Sequence, residues 1–165
     1  MPRSSFAEMQ CSVARTLDII GDAWTPLVLR DIALGISRFD AIQRNLDLSR
    51  KVLSQRLRSL VEHDVVSRTA YQDSPVRYDY RLTDKGKDLA MVLVAMQRFG
   101  DTWVFGPGHE PVVWHHLGCG QLSEPVLCCD KCGEQIGPDD AIPARGPGFS
   151  EEQYPEVTAL LRGLG

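Results

Sequence analysis

Apolar positions recur at helical spacing through the first part of the chain, switch to alternation near its middle, and then return to helical spacing. Cys11 and Ser12 open the first predicted helix, with Val13, Leu17 and Ile20 on one face and Gly21 at its end. Asp22 is placed to cap a second helix, in which Trp24, Leu27, Val28 and Ile32 form the apolar side and Gly35 is the stop. Pro26 falls in its first turn, where a missing N–H costs nothing. Ser37 begins a third helix, SRFDAIQRNL, that directs Phe39, Ile42 and Leu46 inward. Asp47, Leu48 and Ser49 form the turn into a fourth, within the stretch LSRKVLSQRLRSLVEHD. There Leu53, Leu57, Leu60 and Val61 make one stripe, and Ser49 can cap the helix. The period then becomes two. Val65, Val66, Arg68 and Ala70-Tyr71 read as a strand and Val76 to Leu82 as its partner, joined through Gln72, Asp73, Ser74 and Pro75. Thr83 caps a long helix from Asp84 to about Val104, whose broad face carries Leu89, Val92, Leu93, Met96, Phe99 and Trp103.

Three helices with a tight turn before a fourth, followed directly by a hairpin, predict a winged helix-turn-helix. The fourth helix turns Arg50, Lys51, Ser54, Gln55 and Arg58 away from its apolar stripe. Cations suit phosphates and the amide or guanidinium suits base edges, so this face fits the major groove of double-stranded DNA. A charged outer face alone is usually that of an ordinary surface helix; the hairpin behind it adds the wing, with Arg77 and Arg81 as its cations and Arg68 next. On the long helix, Phe99 and Trp103 exceed what a small domain needs to pack, which predicts a homodimer interface there, the alternative being ordinary core packing.

Charge sharpens the picture. The chain of 165 residues has a formal net charge of −4, which argues against a uniformly basic nucleic-acid coat. The balance is uneven: Ile36 to Leu82 holds nine Lys and Arg against six Asp and Glu, whereas Phe105 to Gly165 holds three against nine. A basic middle beside an acidic end predicts two parts with different partners. The apolar runs are too short to span a membrane, and MPRSSFAEMQ lacks the apolar core of a secretory signal, so the expected location is the cytoplasm.

The segments CSVARTLDIIGDAWTPLVLRDIALGISRFDAIQ, LSRKVLSQRLRSLVEHDVV and YDYRLTDKGKDL resemble the HxlR family of bacterial winged-helix transcriptional regulators, relatives of the MarR group. The resemblance covers about Cys11 to Trp103, with Asp47 standing where a glycine is expected and an unusual Pro26. It implies a homodimer whose two recognition helices, with Ser49 at their start, read half-sites of an inverted repeat. It also implies a role for Cys11, since some members use a cysteine here as a thiol switch. A thiol at a helix N-terminus feels the helix dipole, which favours the thiolate; the alternative is a small buried residue in the dimer contact. A small-molecule effector would sit between the long helix and the winged domain, although no convergent polar set marks a pocket there.

Four of the five cysteines lie within a short stretch, Cys119, Cys128, Cys129 and Cys132. His116 and Cys119, then Cys129 and Cys132, form two ligand pairs of x2 spacing, each ending in Cys-Gly. This is the pattern of a zinc ribbon, in which four protein ligands make a closed, structural site. His115 could replace His116, and Cys128 could replace Cys129. The alternatives are a Cys129/Cys132 thiol-disulfide pair, which lacks its usual βαβ context, and a metal-free remnant.

The expected fold is mainly α with a small β-hairpin: a flexible arm over 1–10, an HxlR-type winged helix-turn-helix with its dimerisation helix over 11–104, a zinc-ribbon-like region over 105–148 and a helical tail over 149–165. In that tail Ser150 and Gln153 form a capping-box start ahead of Val157, Leu160, Leu161 and Leu164. The expected function is sequence-specific DNA binding by a non-enzymatic regulator, responsive to a thiol oxidant or a ligand. Competing classes are a thiol-disulfide redox protein and an adaptor that docks proteins without DNA.

Overall fold

Leu53, Leu57 and Leu60 are each no more than 2% exposed, packed among Val28, Leu29, Ile32 and Ile42. The stripe read from the sequence is therefore the centre of the core. The computed structural model describes residues 5–152 and 154–163. The helices are α1 (Ser12–Ile20), α2 (Trp24–Ala33), α3 (Phe39–Leu46) and α4 (Arg50–Glu62). Strands β1 (Val66–Asp73) and β2 (Val76–Leu82) form an antiparallel hairpin, followed by α5 (Asp84–Gly100). A short hairpin, β3 (Trp114–His116) and β4 (Gln121–Ser123), and a last helix, α6 (Pro155–Arg162), complete the order. The fold is thus mainly helical with a small antiparallel wing. Two units form, one of Ile19–Pro125 and the other of Met1–Asp18 with Val126–Gly165. Among the described residues no helix is long and apolar enough to cross a membrane.

In the larger unit the caps do the local work. Asp22 accepts hydrogen bonds from the N–H groups of Trp24 (2.8 Å) and Thr25 (3.1 Å) and from the Thr25 hydroxyl (2.5 Å), and so starts α2. The same carboxylate lies 3.2 Å from Arg56 of α4, which braces the fourth helix against the second. Ser49 caps α4 by accepting from the N–H of Val52, and Thr83 caps α5 by accepting from the N–H of Gly86. Asp47, where a glycine was expected, adopts the left-handed conformation at φ 49°. Asp tolerates that region better than most side chains, which explains how the turn survives the replacement. Buried Asp31 accepts from Arg30 at 2.7 Å and from Asn45 at 2.8 Å, tying α2 to α3. Gly86 is fixed by space: a Cβ there would lie 2.1 Å from the carbonyl oxygen of Val65.

Several boundaries differ from the sequence reading. Ser37 does not start α3; Arg38 is its N-cap, because the Ser37 hydroxyl donates to Asp79 of β2 at 2.5 Å. Strand β1 continues to Asp73, leaving Ser74-Pro75 as the turn, and Tyr71 is an extra residue in the register. The long helix ends as α-helix at Gly100, and Asp101–Phe105 winds on as one π-helical turn. The last helix starts with Pro155 in its first turn, not at Ser150. Gln153 and Leu164 lie outside the described residues.

In the smaller unit, Asp18 accepts from the N–H of Phe6 at 2.9 Å and from the Ser5 hydroxyl at 3.2 Å, so part of the expected arm is tied to α1. Phe149 and Tyr154 stack with ring centroids 6.5 Å apart, and Glu151 pairs with Arg145 and Arg162.

Two outcomes follow. Gly86→Ala will destabilise the chain by about 1–3 kcal/mol, because the methyl group must displace the Val65 backbone just before β1; thermal unfolding measures it. Asp22→Ala will cost about 1–2 kcal/mol at neutral pH through the lost cap. Burial raises the Asp22 carboxyl pKa, but the Thr25 hydroxyl, the N–H groups of Trp24 and Thr25 and the Arg56 charge outweigh it, and the net value lies below the usual 3.8. The stabilisation from ionised Asp22 is therefore complete above that value and lost as pH falls through the lower, folded one. The stability gap between the two proteins should narrow only in that acid range, as denaturant midpoints across pH will reveal.

Candidate nucleic-acid interface

Helix α4 buries one side and leaves Arg50, Lys51, Ser54, Gln55 and Arg58 exposed on the other. Ser49, spent on the cap, is exposed at the same end. The wing brings its own cations to this region. Arg77, at the start of β2, and Arg50, at the start of α4, converge on one carboxylate of α3: Asp40 lies 3.6 Å from Arg50 and 3.8 Å from Arg77. Arg50 also lies over the Phe39 ring at 5.1 Å. Ser54 and Arg58 share a small polar cleft of about 220 Å³ with Arg68 and Tyr80 of the wing. Arg81 points to its own strand, 3.1 Å from Asp79. The hydroxyl of Ser37, with help from Arg81, holds the Asp79 carboxyl below the usual range.

Two participants were not singled out from the sequence. Arg38 stacks over Tyr71 of the wing at 4.7 Å and joins β2 through an antiparallel bridge to Asp79. Asp40 reads in sequence only as an acidic residue in a helix first turn; its neighbours come from Arg50 and, across the fold, from Arg77. The signal for Arg38 was its place beside Phe39, a core aromatic at the start of a helix. For Asp40 there was none.

Helix α5 carries a second exposed surface. Val92, Met96, Phe99 and Trp103 follow one another at helical spacing and are 41%, 54%, 64% and 75% exposed. Between α5 and α2 lies a cavity of about 570 Å³, lined by Leu27, Leu34, Ala90, Met91, Val94 and Trp114 among others, with Met96 of the stripe at its edge. Gln97 donates to the carbonyl of Val112 at 2.7 Å and accepts from the Trp114 indole at 3.2 Å, which holds this chain segment against α5.

The cysteines carry free thiols. Cys11 is half-buried immediately before α1, its carbonyl accepting from the N–H of Arg15 at 2.9 Å. The two cysteine turns are built alike. Gly120 donates its N–H to the carbonyl of His116 at 2.8 Å, and Gly133 donates to that of Cys129 at 2.9 Å. Both glycines have positive φ, 70° and 76°, which a side chain would oppose. The His116 ring nitrogen lies 3.2 Å from the Cys119 sulfur. The N–H groups of Cys132 and Lys131, followed by the Cys132 thiol, hold the Cys129 thiol below its usual pKa. By backbone Cys128 pairs with Gln135, His115 with Leu122 and His116 with Gln121, and Cys129 donates its N–H to the carbonyl of Glu134 at 2.8 Å. Among the described residues no three or more His, Cys, Asp or Glu side chains gather as a metal cluster.

Comparison with known proteins agrees with this geometry. The model of the HxlR-like helix-turn-helix family matches residues 19–106. The HTH-type transcriptional regulator Rv3095 of Mycobacterium tuberculosis is 41% identical over 138 residues, 84% of this chain and 87% of that protein. Among solved structures, PA1607, described as a putative transcription factor, is 35% identical with a TM-score of 0.73, covering 87% of this chain and all of the other. A second such factor, PA1374 from Pseudomonas aeruginosa, is 30% identical with a TM-score of 0.60, covering 87% and 97%. The chain belongs to the HxlR-like helix-turn-helix family of transcriptional regulators and is not an enzyme.

Proposed function

We propose that the protein is a sequence-specific DNA-binding regulator that acts as a homodimer on an inverted-repeat operator. The observation that carries this reading is the meeting of a recognition-helix arginine and a wing arginine, Arg50 and Arg77, at one solvent-exposed point. Groove-facing Gln55 and Arg58 read base edges, while Lys51, Arg77 and Arg81 hold phosphates. Support for the dimer is the apolar stripe Val92, Met96, Phe99 and Trp103, which in a lone chain stands in water. In the dimer the two α4 helices enter successive major grooves.

His116, Cys119, Cys129 and Cys132 are the ligands we assign to a structural zinc. What supports this is the donor set and the shared construction of the two turns, each with a positive-φ glycine behind its second ligand. Cys11 is the thiol we assign to oxidant response.

Arg77→Ala should weaken binding to all duplexes by a similar factor and reduce the steepness of the salt dependence by about 0.9. Gln55→Ala should instead erode discrimination between operator and unrelated DNA. Titration by fluorescence anisotropy at two salt concentrations reads both, and an unchanged salt slope for Arg77→Ala removes the wing from the interface. Native mass spectrometry before and after mild oxidant tests the remainder. The expected species is a dimer with one zinc per chain that gains mass only at Cys11. A metal-free chain that loses two hydrogens at Cys129 and Cys132 would make that pair the redox element.

A further inference from the structure

We propose that Asp40 is a placeholder for a DNA phosphate, and that Arg50 and Arg77 form one phosphate clamp which the carboxylate occupies until DNA displaces it. This rests on the DNA-binding reading above. The clamp draws on three elements: Asp40 from α3, Arg50 from the start of α4, and Arg77 from the start of β2. Each arginine approaches a different carboxylate oxygen, Arg50 Nη1 at 3.6 Å from Oδ1 and Arg77 Nη1 at 3.8 Å from Oδ2. These separations exceed those of a tight charge-assisted bond, about 2.7–2.9 Å. The side chains are also open to water, 45% exposed for Asp40, 74% for Arg50 and 50% for Arg77. Such pairs cost little to break. A phosphodiester offers the same guanidinium-accepting oxygens with a full negative charge, and can take both arginines at once.

The other carboxylates of this region are engaged differently. Asp31 is fully buried with two partners, and Asp79 is fastened by the Ser37 hydroxyl. The one structural service open to Asp40 is its charge in the first turn of α3, which a helix N-terminus favours modestly. That service affects melting rather than DNA affinity, so the two roles separate.

With Asp40 ionised the three groups sum to a single positive charge; with Asn they sum to two. Asp40→Asn is therefore expected to tighten binding of a mixed-sequence duplex roughly three- to fivefold at low salt. It should also steepen the salt dependence by about 0.9, because the clamp then carries one more net positive charge to the DNA. Asp47→Asn makes the same charge change in the neighbouring turn, at a left-handed position that Asn accepts. It reports the general effect of losing one negative charge. Arg50→Ala/Arg77→Ala supplies a background without the clamp. The proposal requires that Asp40→Asn gain more than Asp47→Asn, and that its gain disappear in the double-alanine background. Equal gains, a gain that persists without the arginines, or a loss of affinity each overturn it. A wild-type protein that binds no duplex at low salt would instead bring down the DNA-binding reading itself, and the placeholder with it. Wild-type binding with an inert Asp40→Asn brings down the placeholder alone.

Discussion

Helix α4 can turn a polar face outward only because its other face cannot leave the core. Leu53, Leu57 and Leu60 are buried among α2, α3 and the base of the wing, and fully burying side chains of this kind is worth about 1.5–3 kcal/mol each. That burial fixes the rotation of α4 about its axis, and with it the direction of Arg50, Gln55 and Arg58. The Asp22–Arg56 contact at 3.2 Å then fixes its position along α2, and Val65 and Val66 carry the constraint into the wing. The contact surface is positioned by packing behind it rather than by bonds within it.

Three aspartates on this scaffold illustrate how surroundings assign roles to one chemical group. Asp31, with no exposure, needs both the Arg30 guanidinium and the Asn45 amide, since a buried charge without partners is strongly unfavourable. Asp22, part-buried, serves as cap and brace together. Asp40 has water around it and partners at 3.6 and 3.8 Å, so its contacts are weak and exchangeable. The first two hold the fold and the third faces outward.

The helical stripes, the Ser49 and Thr83 caps and the alternation of the wing were legible because each arises from residues close in sequence. What escaped depends on pairing across distance. Ser37 looks like a cap, yet its hydroxyl goes to Asp79, 42 residues away, and Arg38 takes the helix start instead. The requirement for glycine at position 86 comes from the Val65 carbonyl, which no local pattern reveals. Arg77 could be named as a cation from sequence, but its nearness to Asp40 required the register of β1 against β2.

The extra residue at Tyr71 divides the wing into two regimes. Towards the helices, Val66 and Tyr80 are locked into the core, so residues there are constrained by packing. Beyond the bulge, from Asp73 to Val76, the hairpin is exposed. Changes of length or sequence in this tip meet little resistance from folding stability. Over evolutionary time the tip can drift and acquire new contacts, while α4 and the base of the hairpin stay under the selection that keeps the domain folded.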